Sequence, residues 1–333
     1  MPFVSPFGAS TAKPGHGLIV VEALPPDSSV LRHVSYQYPL KLVAPDPLPP
    51  PVPGRHRSSP RLVHTVFLLT YGGGIVAGDA INLEIRLHTR TRLVLLTQGS
   101  TKIFKTPDSS LVSKQHTNVI LDDDAALVYL PDPVQPFAHT AFAQSQTYQL
   151  RNPSGSLCAC DWVTSGRSAR GENWEIHEYK SRNEVWSVHD AGKPTLLLRD
   201  NLILDKHGCT DMALSSRMDG YSVFGTLIIR GPTFSSLAQF FFDEFEALPR
   251  IGGRDWTDNA QPDLTSRQQK RHARQQREKA DGLVWSAAKV RGFVLIKFAS
   301  REVQGARTWL RDMVQEEGSV LQAFGERAIL CLK

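Results

Sequence analysis

Residues 71–79 read Tyr-Gly-Gly-Gly-Ile-Val-Ala-Gly-Asp and lie between two apolar patterns of different kinds. Residues 66–69 are a continuous apolar run. After the glycines, Ile81, Leu83, Ile85 and Leu87 alternate with Asn82, Glu84 and Arg86. Alternation at a period of two belongs to a half-buried strand, so this glycine cluster joins strand to strand. A P-loop is excluded, because Asp79 and Ala80 stand where Lys and Ser or Thr would be needed. A dinucleotide-binding turn is excluded too, because it must open into a helix whose N-terminus holds the pyrophosphate. A tight turn needing positive φ accounts for the glycines but leaves Asp79 without a role.

Strand-like segments recur through most of the chain. They are expected at 17–22, 64–70, 81–87, 92–97, 116–121, 125–130, 145–150, 157–163, 184–189, 195–198, 202–204, 222–230, 292–298 and 328–332. Their spacing of 8–15 residues, with turn residues between, marks a mainly β protein. In 333 residues the strands are too many for a small sandwich, which leaves a large sandwich, a barrel or a coiled β-solenoid. No fixed-period repeat is visible to support a regular solenoid. Two helices are expected late in the chain. Residues 235–248 align Leu237, Phe241, Phe245 and Leu248, and 301–315 align Val303, Ala306, Leu310 and Val314 behind Ser300 as a cap. The triplet Phe240, Phe241 and Phe242 gives the first helix more than one apolar face, which suits deep burial better than a partner interface.

The whole chain, 1–333, is expected to form one domain with loose segments at 1–15, 45–60 and 252–281. Residues 45–60 are Pro-rich and basic and suit neither strand nor helix. Within 252–281, the stretch 266–280 has helical character but no apolar face. Residues 267–279 hold six basic residues against Glu278 and so equal the whole net charge of +5. The sequence pI of about 9.0 is therefore a local property, and it argues against nucleic-acid binding by the protein as a whole. No apolar run approaches a membrane span, and residues 1–6 do not read as a signal peptide, so a cytoplasmic location is expected. Four cysteines in this length make no disulfide framework. Cys158 and Cys160 share a strand face and read as buried, inert thiols rather than soft metal ligands. His207-Gly208-Cys209 is a slight hint of metal binding.

Polar residues gather at glycine-marked strand ends: Asp79, Gln98 to Lys102, Asp161, Gly166 to Glu172, and Arg199-Asp200. Asp161 and Asp200 interrupt apolar runs, and a carboxylate in a strand core must be paired or must meet a cation or water. One reading pairs Asp161 with Arg167, and Asp200 with Arg199 or Lys102, as buried ion pairs. The other gathers the carboxylates and Ser100 around a wet cavity, where oxygen ligands would hold a divalent cation reversibly. The residues alone do not decide between them. A serine hydrolase lacks its Gly-x-Ser-x-Gly elbow around Ser100, and no His pair has metalloprotease spacing.

Four segments in order, 71–79, 97–105, Leu130-Pro131-Asp132-Pro133, and Asp161 through Gly166-Arg167 to Gly171-Glu172, resemble the urease accessory protein family UreD, also called UreH. The Pro-rich and basic insertions suggest a eukaryotic, fungal member. The resemblance implies a β-helix-like stack of sheets with two helices in the C-terminal half. It implies a non-catalytic chaperone that joins UreF and the GTPase UreG on the urease apoprotein, with no tightly bound cofactor and with Ni²⁺ in transit through a water-filled conduit. Carried over by motif, the conduit would be lined by Asp79, Ser100, Asp161 and Asp200, with Glu172 and Arg167 in the matched stretch. Asp132 and Pro133 stand where many relatives carry Gln and then an acid, so an acid's role there would shift by one residue and change face. The alternative function is a β-solenoid or sandwich enzyme using the same carboxylates as acid and base.

Overall fold

The computed structural model describes residues 13–25, 28–49, 62–188, 193–205, 212–248 and 266–333. The Pro-rich stretch 50–61, residues 1–12 and His207-Gly208-Cys209 lie outside the described residues. A hairpin of β1 (His16–Leu24) and β2 (Ser28–Tyr36) leads to β3 (Leu40–Val43) and then to a coil of successive turns. The first turn is β4 (Val63–Thr70), β5 (Gly74–Ile75) and β6 (Ala80–Leu87). The second is β7 (Arg92–Thr97), β8 (Thr101–Ile103) and β9 (Ser113–Leu121). The third is β10 (Ala126–Tyr129), β11 (Val134–Pro136) and β12 (Ala141–Leu150). The fourth is β13 (Ser156–Thr164) followed by β14 (Glu178–Ser187). Equivalent strands pair in parallel from turn to turn.

This is a β-helix-like stack with two broad sheets and a short third face made by β5, β8 and β11. The coil closes with β15 (Thr195–Asp205), antiparallel to β14, and with β16 (Val223–Arg230), β17 (Val284–Val290) and β18 (Phe293–Ser300) on the other sheet. The repeat is hidden in the sequence because the connections differ in length: β8 and β9 are separated by 104–112, β11 and β12 by only 137–140.

The glycine cluster turns the chain from β4 through the short face. Gly72 and Gly73 have φ of 75° and 76°, and a Cβ on Gly74 would lie 2.6 Å from the Lys102 carbonyl oxygen of β8. Positive φ and close backbone approach both call for glycine.

Two cores result. Alternate residues of the larger sheet, such as Leu93, Leu95, Leu127, Leu157 and Val163, meet the seven-stranded sheet. The residues between them, Val94, Leu96, Val128, Cys158, Cys160 and Trp162, meet the helices. After the short α1 (Leu214–Arg217), the helices are α2 (Ser235–Glu246), α3 (Ser266–Ala280), α4 (Val303–Glu317) and α5 (Ser319–Phe324), so the C-terminal half holds more than the two expected. Phe241 is fully buried, while Phe240 and Phe242 lie under the cations of Arg267 and Lys289. The α4 cap is Glu302 rather than Ser300, whose hydroxyl instead bonds both backbone groups of Glu302.

Residues 328–332 are not a strand but part of a 3-10 helix, Glu326–Leu332. Its buried residues Ala328, Ile329, Cys331 and Leu332 fall in pairs three apart, the period of that helix. The expected pieces 195–198 and 202–204 are one strand, β15. In 252–281, expected to be loose, residues 266–280 form α3. Its anchor is ionic, so an apolar-face search cannot find it. Glu244 of α2 is fully buried and receives Arg267, Arg271 and Arg274, and Arg274 also meets Glu278 and Glu316.

Candidate functional site

The inward face of the seven-stranded sheet carries a band of polar residues where a sandwich normally places only apolar ones. One row pairs Gln115 of β9 with Gln144 of β12 and Ser181 of β14. The next pairs Thr117, Gln146, Asn183 and Asp200, crossing β9, β12, β14 and β15. All seven are buried. With strands about 4.8 Å apart, the second row runs roughly 14 Å across the interior, along the axis of the coil. At β6 it ends against apolar Leu83.

Asp161 faces this band from the other sheet. It shares its side of β13 with Leu157, Ala159 and Val163, which belong to the inter-sheet core. Gln144 Nε2 donates to Asp161 Oδ1 at 2.6 Å and Asn183 Nδ2 to Oδ2 at 2.7 Å. The Ser181 hydroxyl also donates to Oδ2. Among the described residues, no Lys, Arg or His pairs with Asp161. Burial raises its pKa above the ordinary aspartate value. The three hydrogen bonds oppose that rise, and the nearby Asp200 carboxylate adds to it. Buried polar atoms are normally paired with protein or water, yet Gln115 Oε1, Thr117 Oγ1 and Asn183 Oδ1 find no protein partner. The band therefore has donors and acceptors to offer a small polar guest.

Asp200 closes the β15 end of the band. It accepts from Thr226 Oγ1 at 3.0 Å and from Lys297 Nζ at 2.5 Å. Lys297 is half exposed and lines a cavity of about 380 Å³ with Leu202, Thr226, Trp285 and Phe298. Neither pairing inferred from sequence forms: Arg199 bonds Glu184, and Arg167 bonds Glu172.

The other expected site residues sit elsewhere. Asp79 is at the corner between the short face and β6. Its carboxylate accepts from Val76 N at 3.2 Å and its carbonyl from Lys114 N at 2.8 Å, so it ties up its own turn. Ser100 lies at the corner after β7, half-buried on a turn held from below by Asp132. Buried Asp132 accepts from Gly99 N at 3.0 Å, Thr97 Oγ1 at 3.3 Å and Arg307 at 2.9 Å. Glu172 is held by Arg167, which keeps its pKa low, and Arg167 stacks 3.9 Å above the Phe137 ring. The structure thus brings Asp161 and Asp200 together and places Asp79, Ser100 and Glu172 on the coil's corners and loops. Cys158 and Cys160 turn towards the helices, and burial pushes the Cys158 thiol up to about 12, as inert thiols require.

Sequence reasoning missed Gln115, Thr117, Gln144, Gln146, Ser181, Asn183, Thr226 and Lys297. The usable signal was a pair of polar residues two apart on one strand face, repeated in three strands: 115 and 117, 144 and 146, 181 and 183.

Residues 16–329 match the model of the UreD urease accessory protein family. The chain belongs to that family. Urease accessory protein 4 of Cryptococcus neoformans var. grubii is 29% identical over 320 residues, covering 87% of this chain and 86% of that protein. A fission-yeast protein described as an uncharacterized UreD-like urease accessory protein is 27% identical over 288 residues, covering 86% of this chain and 88% of its own. Urease accessory protein D of Arabidopsis thaliana is 34% identical over 215 residues, covering 65% and 67%. Fungal, plant and bacterial proteins are all among the relatives, and the match extends through the helical C-terminal third of this UreD chain. Among the described residues no helix is long and apolar enough to cross a membrane.

Proposed function

We propose that this chain is a non-catalytic, cytoplasmic chaperone for urease maturation that joins UreF and the GTPase UreG on the urease apoprotein and conducts Ni²⁺ towards the urease active site. The observation that carries this reading is Asp161: a half-buried carboxylate in the inter-sheet space, bound by three neutral donors and, among the described residues, by no fixed cation. A charge so placed favours a mobile cation, and Asp200 in the same band adds to the field. The band's other groups are amide and hydroxyl oxygens. Such ligands bind Ni²⁺ more weakly than imidazole or thiolate, so the ion can pass on. Asp79, Ser100 and Glu172 would act at the approaches on the coil's corners.

Acid and base catalysis by the same carboxylates would need a substrate between them, whereas the Asp161 oxygens are taken up by Gln144, Ser181 and Asn183. The test is urease nickel content in cells lacking this protein, then in the same cells given the wild-type chain or Asp161→Ala. The null should hold nickel-poor, inactive urease. Wild type should restore it, and Asp161→Ala should not, while still co-purifying with UreF and UreG. Normal urease in the null would sink the proposal.

A further inference from the structure

At the end of the coil where β12 and β14 begin, three loops are sewn together through their backbones. Thr106 N donates to the His139 carbonyl at 3.0 Å, His139 N to Glu175 O at 2.8 Å, and His177 N to Thr140 O at 2.9 Å. His139 has a φ of 61°, a left-handed conformation in which histidine is more common than most residues. The stitching brings the His139 and His177 rings together, with centroids 5.5 Å apart and planes inclined by 41°. Both line a cavity of about 370 Å³ that Glu175 and Met212 also line. The Asp108 carboxylate is within electrostatic reach of His177.

We infer that His139 and His177 form an open binding site for a divalent transition-metal ion, separate from the polar band. An ion bound at about 2.1 Å from an imidazole nitrogen lies about 3.2 Å from the ring centre, so two imidazoles on one tetrahedral ion have centroids about 5.3 Å apart. The observed centroid separation of 5.5 Å matches that spacing. Imidazole nitrogen suits Ni²⁺, Cu²⁺ or Zn²⁺ and not Mg²⁺ or Ca²⁺. Only two protein ligands are fixed. The remaining positions are left to water or to a ligand arriving with the ion, as in sites that exchange their metal.

The site stands without the conduit, and the experiment keeps the two apart. The purified full-length chain would be titrated calorimetrically with Ni²⁺, and its Cu²⁺ complex examined by electron paramagnetic resonance. His139→Asn keeps a residue that tolerates positive φ, and His177→Gln keeps a polar side chain of similar reach. Losing even an outer partner of a metal ligand costs about 10–100-fold in affinity. Each substitution should therefore weaken one Ni²⁺ equivalent by about tenfold or more, with the thermal unfolding midpoint unchanged. Exposed His33→Gln and band residue Asp161→Asn should leave that equivalent intact. The wild-type Cu²⁺ spectrum should show coupling to two nitrogens. Binding that survives either histidine change, a spectrum with one coupled nitrogen, or no binding at millimolar Ni²⁺ would overturn the site.

Discussion

Glu244 and Asp161 are held inside this protein on opposite terms. Glu244, between helices, is met by three guanidinium groups. Burial alone would raise its pKa, but Arg271, Arg274 and Arg267 outweigh that and hold it at about 2. Asp161, between sheets, is met by an amide, a hydroxyl and a second amide, and its pKa stays raised. The first charge is cancelled by fixed cations and serves the architecture, docking a basic helix that has no apolar face. The second is solvated by dipoles without being neutralised, which leaves it able to attract a cation that comes and goes. The contrast also separates the chain's net charge from its chemistry: the basic segment is spent on a structural anchor, while the functional candidate is an acid.

Four results would sharpen or break this contrast. Removing one side of a buried ion pair costs about 3–5 kcal/mol, so Glu244→Ala should undock α3 and expose its basic residues. Limited trypsin digestion should then cut within 267–279 much faster than in wild type. Equal cleavage would mean that the arginines are not the anchor. Lys297→Met leaves the Asp200 carboxylate short of its cation. Loss of a hydrogen bond to a charged group costs about 1–3 kcal/mol, and chemical denaturation at pH 7 should show a loss in that range. Asp200→Asn in the same chain should recover most of it. No recovery would mean that Lys297 acts by packing its stem rather than by charge.

The other two results concern pH, and they have opposite signs. Glu244 is depressed, so its contribution to stability is present above the ordinary glutamate value of about 4.3 and is lost as pH falls towards about 2. Glu244→Gln should flatten that acid limb. Asp161 is raised, so its contribution is fullest below the ordinary aspartate value of about 3.9 and is lost as pH rises through its folded-state value. Asp161→Asn should remove a decline in unfolding midpoint as pH rises above the ordinary aspartate value. An unchanged profile would show that Asp161 is neutralised by something in the folded protein.

How much of this could be read beforehand follows from what each signal depends on. The strands of the coil were legible because apolar residues alternate in them, as from Ile81 to Leu87. The glycine turn was legible because only glycine suits those backbone angles. Asp161 and Asp200 stood out as charges in apolar runs. Their partners did not. Gln144 and Gln146 lie in a strand whose outward face also carries Ser145 and Thr147, so inward and outward polarity look alike until register is known. Lys297 is 97 residues from Asp200 in sequence, and nothing local links them. The α3 anchor was hidden for a related reason, since periodicity measures apolar faces and this one is made of guanidinium groups. The final segment, 328–332, misled because a short apolar run fits a strand and a tight helix equally well.

The most direct test of the central claim sets the two carboxylates side by side in cells. Urease would be purified from cells carrying Asp161→Asn and from cells carrying Glu244→Gln, and its nickel measured together with recovery of the UreF–UreG assembly. The account predicts that Asp161→Asn assembles normally yet leaves urease nickel-poor, and that any nickel deficit with Glu244→Gln tracks loss of assembly. Fully loaded urease from the Asp161→Asn cells would contradict it.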